Sequence, residues 1–444
     1  MNLCRLTRVV REMSKNYNDA SLRGHSICRG KIATALKVPV RSLDDFAVWY
    51  TPGVAAPSLA IAKDHYRVFE YTNKGNSIAV VTDGSRVLGL GNIGPEAALP
   101  VMEGKSLLFK YLGDVDAVPI CLDTQDPNEI VKAVEWLAPT YGGINLEDIA
   151  QPKCFMISQE LTKRLPIPVF HDDQQGSAVV ALAGLTNALR VVGKQLKSAT
   201  LTMLGTGAAG RSTFRLLTAA GADAKKIVLV DSRGILSLGR KDLDPEKRDL
   251  AASTNGEGRV GGLKEALKGM DGVVAFSTPG PGVITREMVE GMAENSVVFA
   301  LSNPVPEILP EEAKAGGAAV VATGRSDYPN QVNNSLGFPA IFRGMLDVHA
   351  KGINVPMMLG AAEEIARFAE ERGLSSSSII PTMQDNDLFP REAAAVAEAA
   401  MDTGMARTKV NLEELKLEIR ERLSKVRKTM EVGMREGLIP NLEF

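Results

Sequence analysis

Two stretches of this 444-residue sequence concentrate carboxylates outside evident surface helices: Glu147-Asp148, and His171-Asp172-Asp173-Gln174-Gln175-Gly176. Carboxylates brought together repel one another unless a cation joins them, and an all-oxygen donor set suits Mg2+ or Mn2+ over zinc. Spacing alone leaves a second reading open, in which Glu147 and Asp148 open one helix while Asp172 and Asp173 cap the next. A different chemistry belongs to two GxGxxG runs, Gly89-Leu90-Gly91-Asn92-Ile93-Gly94 and Gly205-Thr206-Gly207-Ala208-Ala209-Gly210. Such a turn holds a dinucleotide when a strand feeds it and a helix leaves it with amides facing the pyrophosphate. An acid must then close the next strand to hold the ribose hydroxyls. The second run meets each condition: a strand at Leu201 to Leu204, a helix from Ala208, a strand at Ile227 to Val230, and Asp231, 26 residues after Gly205. The first run is followed by Pro95 and Pro100, which should disrupt the helix a phosphate cradle needs, and is expected to line some other site.

Asp231 repels a 2′-phosphate and favours NAD, although Arg233, Arg240 and Lys241 nearby pull toward NADP. Gly104-Lys105-Ser106 has the tail of a phosphate-binding P-loop, but Leu99 stands where the leading glycine belongs, so a nucleotide triphosphatase is not expected. On its own, Lys105 reads as an ordinary solvated lysine and Tyr50 as half-buried packing. With four histidines and no GxSxG, hydrolysis by a Ser-His-Asp arrangement has little support.

The elements that must position these groups show α/β patterning. From about Ser77 to Gly143, β-rich runs (Ile78 to Thr82, Ala117 to Cys121) alternate with helical ones (Ala97 to Tyr111, Asn128 to Leu137). A cleaner series follows Gln195, with strands at Thr200 to Leu204, Ile227 to Val230, Val273 to Phe276, Val297 to Leu301 and Ala319 to Ala322. Strands alternating with helices imply mostly parallel sheets covered on both faces. Ser177 to Val192 reads as an apolar helix connecting the two units. After Gly337 the pattern is almost wholly helical, and Leu412, Leu415, Ile419, Leu423, Val426 and Met430 form one apolar face, expected to dock on its own domain or on a second copy.

Composition bounds the partners. A formal charge of −2 argues against nucleic acid bound by bulk charge, and 45% hydrophobic with 23% charged residues is ordinary for a folded chain. Cys4, Cys28, Cys121 and Cys154 suggest neither a zinc site nor a disulfide framework, and a reducing compartment fits. No apolar stretch reaches the length of a membrane span, so no membrane partner is expected. The start of the chain carries Arg5, Arg8, Arg11 and Lys15 against Glu12, a compositional cue to organellar import set against the cytoplasmic location expected here.

The order of the segments makes the resemblance specific. Tyr50-Thr-Pro-Gly-Val-Ala55, Val81-Thr-Asp-Gly-Ser-Arg86 through Gly94, Gly104-Lys105, Asn145-Leu-Glu-Asp148, Phe170 to Gly176, Gly205 to Gly210, Val230 to Gly234, Ser302-Asn-Pro304 and Asn333-Asn334 all occur in family order. The chain resembles the short, bacterial-type malic enzymes. The resemblance implies two α/β domains: residues 1–166, a catalytic domain completed by helices from 342–444, and a Rossmann domain over 167–341, with the site in the cleft between them. It implies L-malate as substrate, NAD with NADP as the alternative, Mg2+ or Mn2+, and a homodimer in which residues of one subunit approach the other's site.

Residue by residue, the resemblance makes Glu147, Asp148 and Asp173 the cation ligands, with Asp172 beside them tuning Lys105 or the metal. Lys105 takes the proton from the C2 hydroxyl, for which its pKa must be lowered. Tyr50 protonates the enolate at C3. Arg86 grips a substrate carboxylate, and Asn303 and Asn334 orient malate or the nicotinamide carboxamide. Gly205, Thr206, Gly207, Ala208, Ala209, Gly210, Asp231 and Asn303 take the cofactor. The sequence ends without the acyltransferase-like extension of some bacterial relatives, so regulation by acetyl-CoA through it is not expected. Two rivals remain: a malolactic enzyme, which would keep its cofactor bound and release lactate, and a catalytically dead dinucleotide-binding regulator.

Overall fold

The computed structural model describes residues 17–442; Cys4 and the basic residues Arg5, Arg8, Arg11 and Lys15 lie outside the described residues. Strand β1 (Ser77–Thr82) is buried at all six positions, as its run of Ile and Val demands of a central parallel strand. Its side chains alternate between two cores, Ile78 and Val80 on one face and Ala79 and Val81 on the other. It pairs in parallel with β2 (Asp116–Cys121) and β3 (Gly143–Leu146), and β3 pairs with β4 (Val169–His171), giving the order β2-β1-β3-β4. The chain reverses its progress across the sheet between β1 and β3, which opens a crevice at their C-terminal ends.

A second sheet contains β5 (Leu201–Leu204), β6 (Ile227–Asp231), β7 (Gly234–Ile235), β8 (Gly272–Ala275), β9 (Val297–Ala300) and β10 (Val320–Thr323) in the order β10-β9-β8-β5-β6-β7. All neighbours are parallel except β7, which turns back on β6. This is the doubly wound Rossmann arrangement, with its own reversal between β5 and β8. The expected strands fall within a residue or so of those found. β7, a two-residue hairpin return, is too short to leave a periodic signal.

The helices that matter for the site are α1 (Leu43–Trp49), α2 (Ala55–Lys63), α3 (Pro95–Gly113), α4 (Pro127–Leu137), α5 (Lys153–Arg164), α6 (Ser177–Val191), α7 (Ala208–Ala219), α8 (Phe338–Asp347), α9 (Val355–Glu371), α10 (Leu388–Asp402) and α11 (Leu412–Arg435). Pro95 and Pro100 do not prevent a helix after the first glycine run: α3 continues for 19 residues through both. Pro95 takes the first helical position, where its missing N–H would go unpaired in any case, and burial of Ala98, Met102, Phe109 and Leu112 outweighs the single bond lost at Pro100. The boundary expected at 166 also falls too early, because β4 belongs to the first sheet. The apolar face of α11 is covered by its own chain, with Leu415, Ile419 and Leu423 buried against α10 and α3.

Helix α6 links the two sheets and is buried along almost its whole length; its Asn187 donates to the carbonyls of Ala366 and Ile379. Among the described residues no helix is long and apolar enough to cross a membrane.

Candidate active site

Both crevices open into one cleft of about 1610 Å3, lined by residues of the two sheets. At the end of β3 stand Glu147 and Asp148, and Asp148 has φ 53°, a left-handed conformation that Asp tolerates better than most residues. After β4 the chain makes a wide π turn over Asp172–Gly176 before α6 begins. Gly176 is required there: a Cβ on it would lie 1.9 Å from Asp172 Oδ1.

The π turn sends the two adjacent acids to different partners. Asp173 joins Glu147 and Asp148, each offering one oxygen within 4.8 Å of the others, and its Oδ2 accepts from the Asp148 amide at 3.1 Å. Burial, with repulsion among these carboxylates, pushes Glu147 well above the usual range and Asp148 up to about 7. Asp148 Oδ2 is buried and has no hydrogen-bond donor. Three crowded carboxylates with an orphaned oxygen are the donor set a hard divalent cation fits.

Asp172 turns instead to Lys105 on α3, whose Nζ lies 2.5 Å from Asp172 Oδ2 and 3.0 Å from Glu147 Oε1, above the ring of Phe338. Asn334 donates to the same Asp172 oxygen at 2.5 Å. Burial alone would lower the lysine's pKa, but the charges of Asp172 and Glu147 outweigh it and hold the pKa above the ordinary value. The lowered pKa expected of Lys105 is therefore not found while both carboxylates face it.

Arg86, Asn303 and Asn334 line the cleft as expected. The Arg86 amide donates to the Asp148 carbonyl at 3.1 Å. Behind this loop Asp83, fully buried, accepts from the Ser85 amide and hydroxyl and pairs with Lys153, while Ser85 Oγ accepts from the Ala150 amide at 2.9 Å. Sequence reasoning passes over Asp83, Ser85 and Lys153. The Asp-Gly-Ser turn carries a local signal of side chain to backbone bonding; Lys153 carries none.

On the other wall, Gly205 has φ 101°, and a Cβ there would lie 2.2 Å from the Phe276 carbonyl; one on Gly210 would lie 2.0 Å from the Gly205 carbonyl. Glycine packing thus lets the start of α7 close on the turn, with Thr206, Gly207, Ala208 and Ala209 facing the cleft. Asp231 closes β6 as expected, but Arg240 Nη1 and Lys247 Nζ each lie 2.7 Å from its carboxylate. Burial would raise its pKa, yet these cations hold it below the ordinary value. Arg233 contributes only its amide, its guanidinium turning to Asp242, and Lys241 is not among the partners of Asp231.

Tyr50 is the expected site residue that the structure does not bring in. It follows α1, is 70% exposed rather than half-buried, and no tyrosine lines the cleft among the described residues. Neither α1 nor α2 buries a single residue against its own chain, and Phe46, Val48, Trp49, Val54 and Leu59 are exposed with Tyr50.

Residues 29–162 match the family described as malic enzyme, N-terminal domain, and residues 174–401 match malic enzyme, NAD binding domain. A bifunctional malic/malolactic enzyme of Bacillus subtilis is 48% identical over 401 residues, covering 90% of this chain and 97% of that protein. An NAD-dependent malic enzyme of Geobacillus stearothermophilus is also 48% identical, covering 85% of this chain and 78% of that one. The crystal structure of malic enzyme from Pyrococcus horikoshii aligns with a TM-score of 0.89 at 51% identity, covering 93% of this chain and 97% of that chain. With both domains matched in order over most of its length, this chain belongs to the malic enzyme family.

Proposed function

We propose that this protein catalyses the oxidative decarboxylation of L-malate to pyruvate and CO2 with reduction of NAD+ or NADP+, dependent on Mg2+ or Mn2+. The observation that carries this is the amine of Lys105 within 3.0 Å of Glu147 and 2.5 Å of Asp172, at the edge of the carboxylate trio and across the cleft from the glycine turn. When bound, the divalent cation supplies Lewis acidity toward the C2 oxygen and the nicotinamide accepts the C2 hydride.

The chain's own residues do the rest. Glu147, Asp148 and Asp173 hold the cation, and Arg86 grips a malate carboxylate. Glu147 belongs both to the trio and to the lysine's partners, so the residues that would hold a cation and the amine share one carboxylate. Burial works against the amine's charge, the condition a base requires. Lys105 takes the C2 hydroxyl proton, Asp172 keeps the amine in place, and Asn303 and Asn334 orient malate and the carboxamide. After CO2 departs, Tyr50 delivers a proton to C3 of the enolate. Because Tyr50 lies outside its own cleft, it acts in the cleft of a second copy, docked through the exposed apolar residues of α1 and α2. The free Cys28, Cys121 and Cys154 suit a reducing, cytoplasmic location.

The test is steady-state formation of NADH or NADPH from malate with and without Mn2+; no metal-dependent turnover with either cofactor would sink the proposal. The similarity to a bifunctional malic/malolactic enzyme favours one second reading, release of lactate. Product analysis separates the two: pyruvate with free reduced cofactor, or lactate with none. A catalytically dead regulator has no use for the convergence of Lys105, the trio and Arg86.

A further inference from the structure

Two loops on the cleft wall are tied together from behind by one buried carboxylate. Glu307 is fully buried and does not line the cleft. Its Oε1 accepts from the Ser277 amide at 2.9 Å, the Ser277 hydroxyl at 3.1 Å and the Ser302 hydroxyl at 2.6 Å, while Oε2 accepts from the Ser302 amide at 3.2 Å. Ser277 lies in the loop after β8 and Ser302 in the loop after β9. Their main chains are also stitched together, the Glu307 carbonyl accepting from the Gly282 and Ile284 amides and the Val305 carbonyl from the Gly280 amide. A carboxylate withdrawn from water is expensive unless its lone pairs are filled, and here four donors from two loops fill them. An apolar side chain could plug the same space at less cost. What it could not do is fix the distance between the loops.

That distance matters at one part of the cleft. The pyrophosphate belongs at the Gly205 to Gly210 turn and the adenosine ribose toward Asp231 on β6. The remaining half of a dinucleotide must then cross to the β8 and β9 side, where Ser277, Thr278, Ser302 and Asn303 line the cleft. We propose that Glu307 is a positioning residue for the nicotinamide half of the cofactor, setting the spacing at which the Ser277 and Asn303 loops receive the ring. This rests on the reading of the cleft as a nicotinamide dinucleotide site.

The test compares binding of NAD(P)+ with binding of ADP-ribose, which keeps the adenosine and both phosphates but lacks the nicotinamide, by the full-length chain without malate. Glu307→Gln replaces an acceptor with an NH2 group that must face a serine amide, so the loops part. We expect NAD(P)+ to bind about tenfold more weakly while ADP-ribose stays within about twofold. Ser302→Ala removes one link from the loop side and should shift the same ratio in the same direction by less; it decides the matter if Glu307→Gln does not fold. Equal weakening of both ligands, or no change in either, would overturn the positioning role and leave the cofactor reading intact. Failure of the wild-type chain to bind either nicotinamide dinucleotide would overturn both.

Discussion

At the residue scale, the adjacent acids Asp172 and Asp173 carry the division of labour. One faces an amine and the other completes a carboxylate trio. Lys105→Ala should lower kcat for malate by about 10²- to 10⁴-fold, the usual contribution of a positioned base, with circular dichroism unchanged. Asp231 bears on cofactor choice. Its two cations leave it less repulsive to a 2′-phosphate than its place in the motif implies. Lys247→Glu should therefore reduce kcat/KM for NADP+ by about tenfold or more, and for NAD+ by far less, when both are titrated at saturating malate. A third residue acts on stability. Glu392 on α10 is fully buried with neither oxygen hydrogen-bonded, and burial holds its pKa well above the ordinary value. A carboxyl whose folded pKa is raised costs nothing below the unfolded value near 4.5 and destabilises as pH rises above it. Glu392→Gln should thus leave the melting temperature unchanged near pH 4 and raise it at pH 8, by a stability on the order of 1–3 kcal/mol. Thermal scans at the two pH values check the sign.

At the element scale, the π turn between β4 and α6 is the device that separates the acids, and Gly176 is what lets Asp172 fold back beneath it. Gly176→Ala must displace the Asp172 carboxylate, and with it the Lys105 amine. We expect kcat to fall about 10²-fold while binding of NAD(P)+ alone, measured by titration, is little changed. The same scale shows what the sequence could and could not disclose. β5, α7 and β6 with Asp231 are legible because strand, glycine turn, helix and terminal acid are local and contiguous. The carboxylate clusters are visible as clusters, but which of Asp172 and Asp173 meets Lys105 depends on a turn whose width has no sequence period. Pro100 inside α3 misleads because its local cost is overridden by burial of side chains along that helix. Glu307 and Lys153 escape notice because Ser277 and Asp83, the partners that give them their place, come from loops that only the folded sheets bring near.

For the whole molecule, the exposed Tyr50 makes a sharp expectation about subunits. Tyr50→Phe and Lys105→Ala chains should each be inactive alone. Mixed and refolded together, they place an intact tyrosine over an intact lysine in one of the two clefts of every heterodimer. Random pairing then restores about a quarter of wild-type activity. No recovery, with heterodimers demonstrated by tagging, would mean that Tyr50 serves its own cleft or none.

One apolar cluster runs from Val80 on the first sheet through Leu182 and Leu185 of α6 to Met203 and Phe299 on the second, and on to Phe389 and Leu423 in the C-terminal helices. Although the sequence reads as two domains, and each sheet keeps a smaller core on its other face, around Ile144 in the first and Val273 in the second, this larger shared interior couples the two. Calorimetry should therefore record a single melting endotherm, and an isolated Rossmann segment should be insoluble, because α6 would carry an unclad oily flank into water.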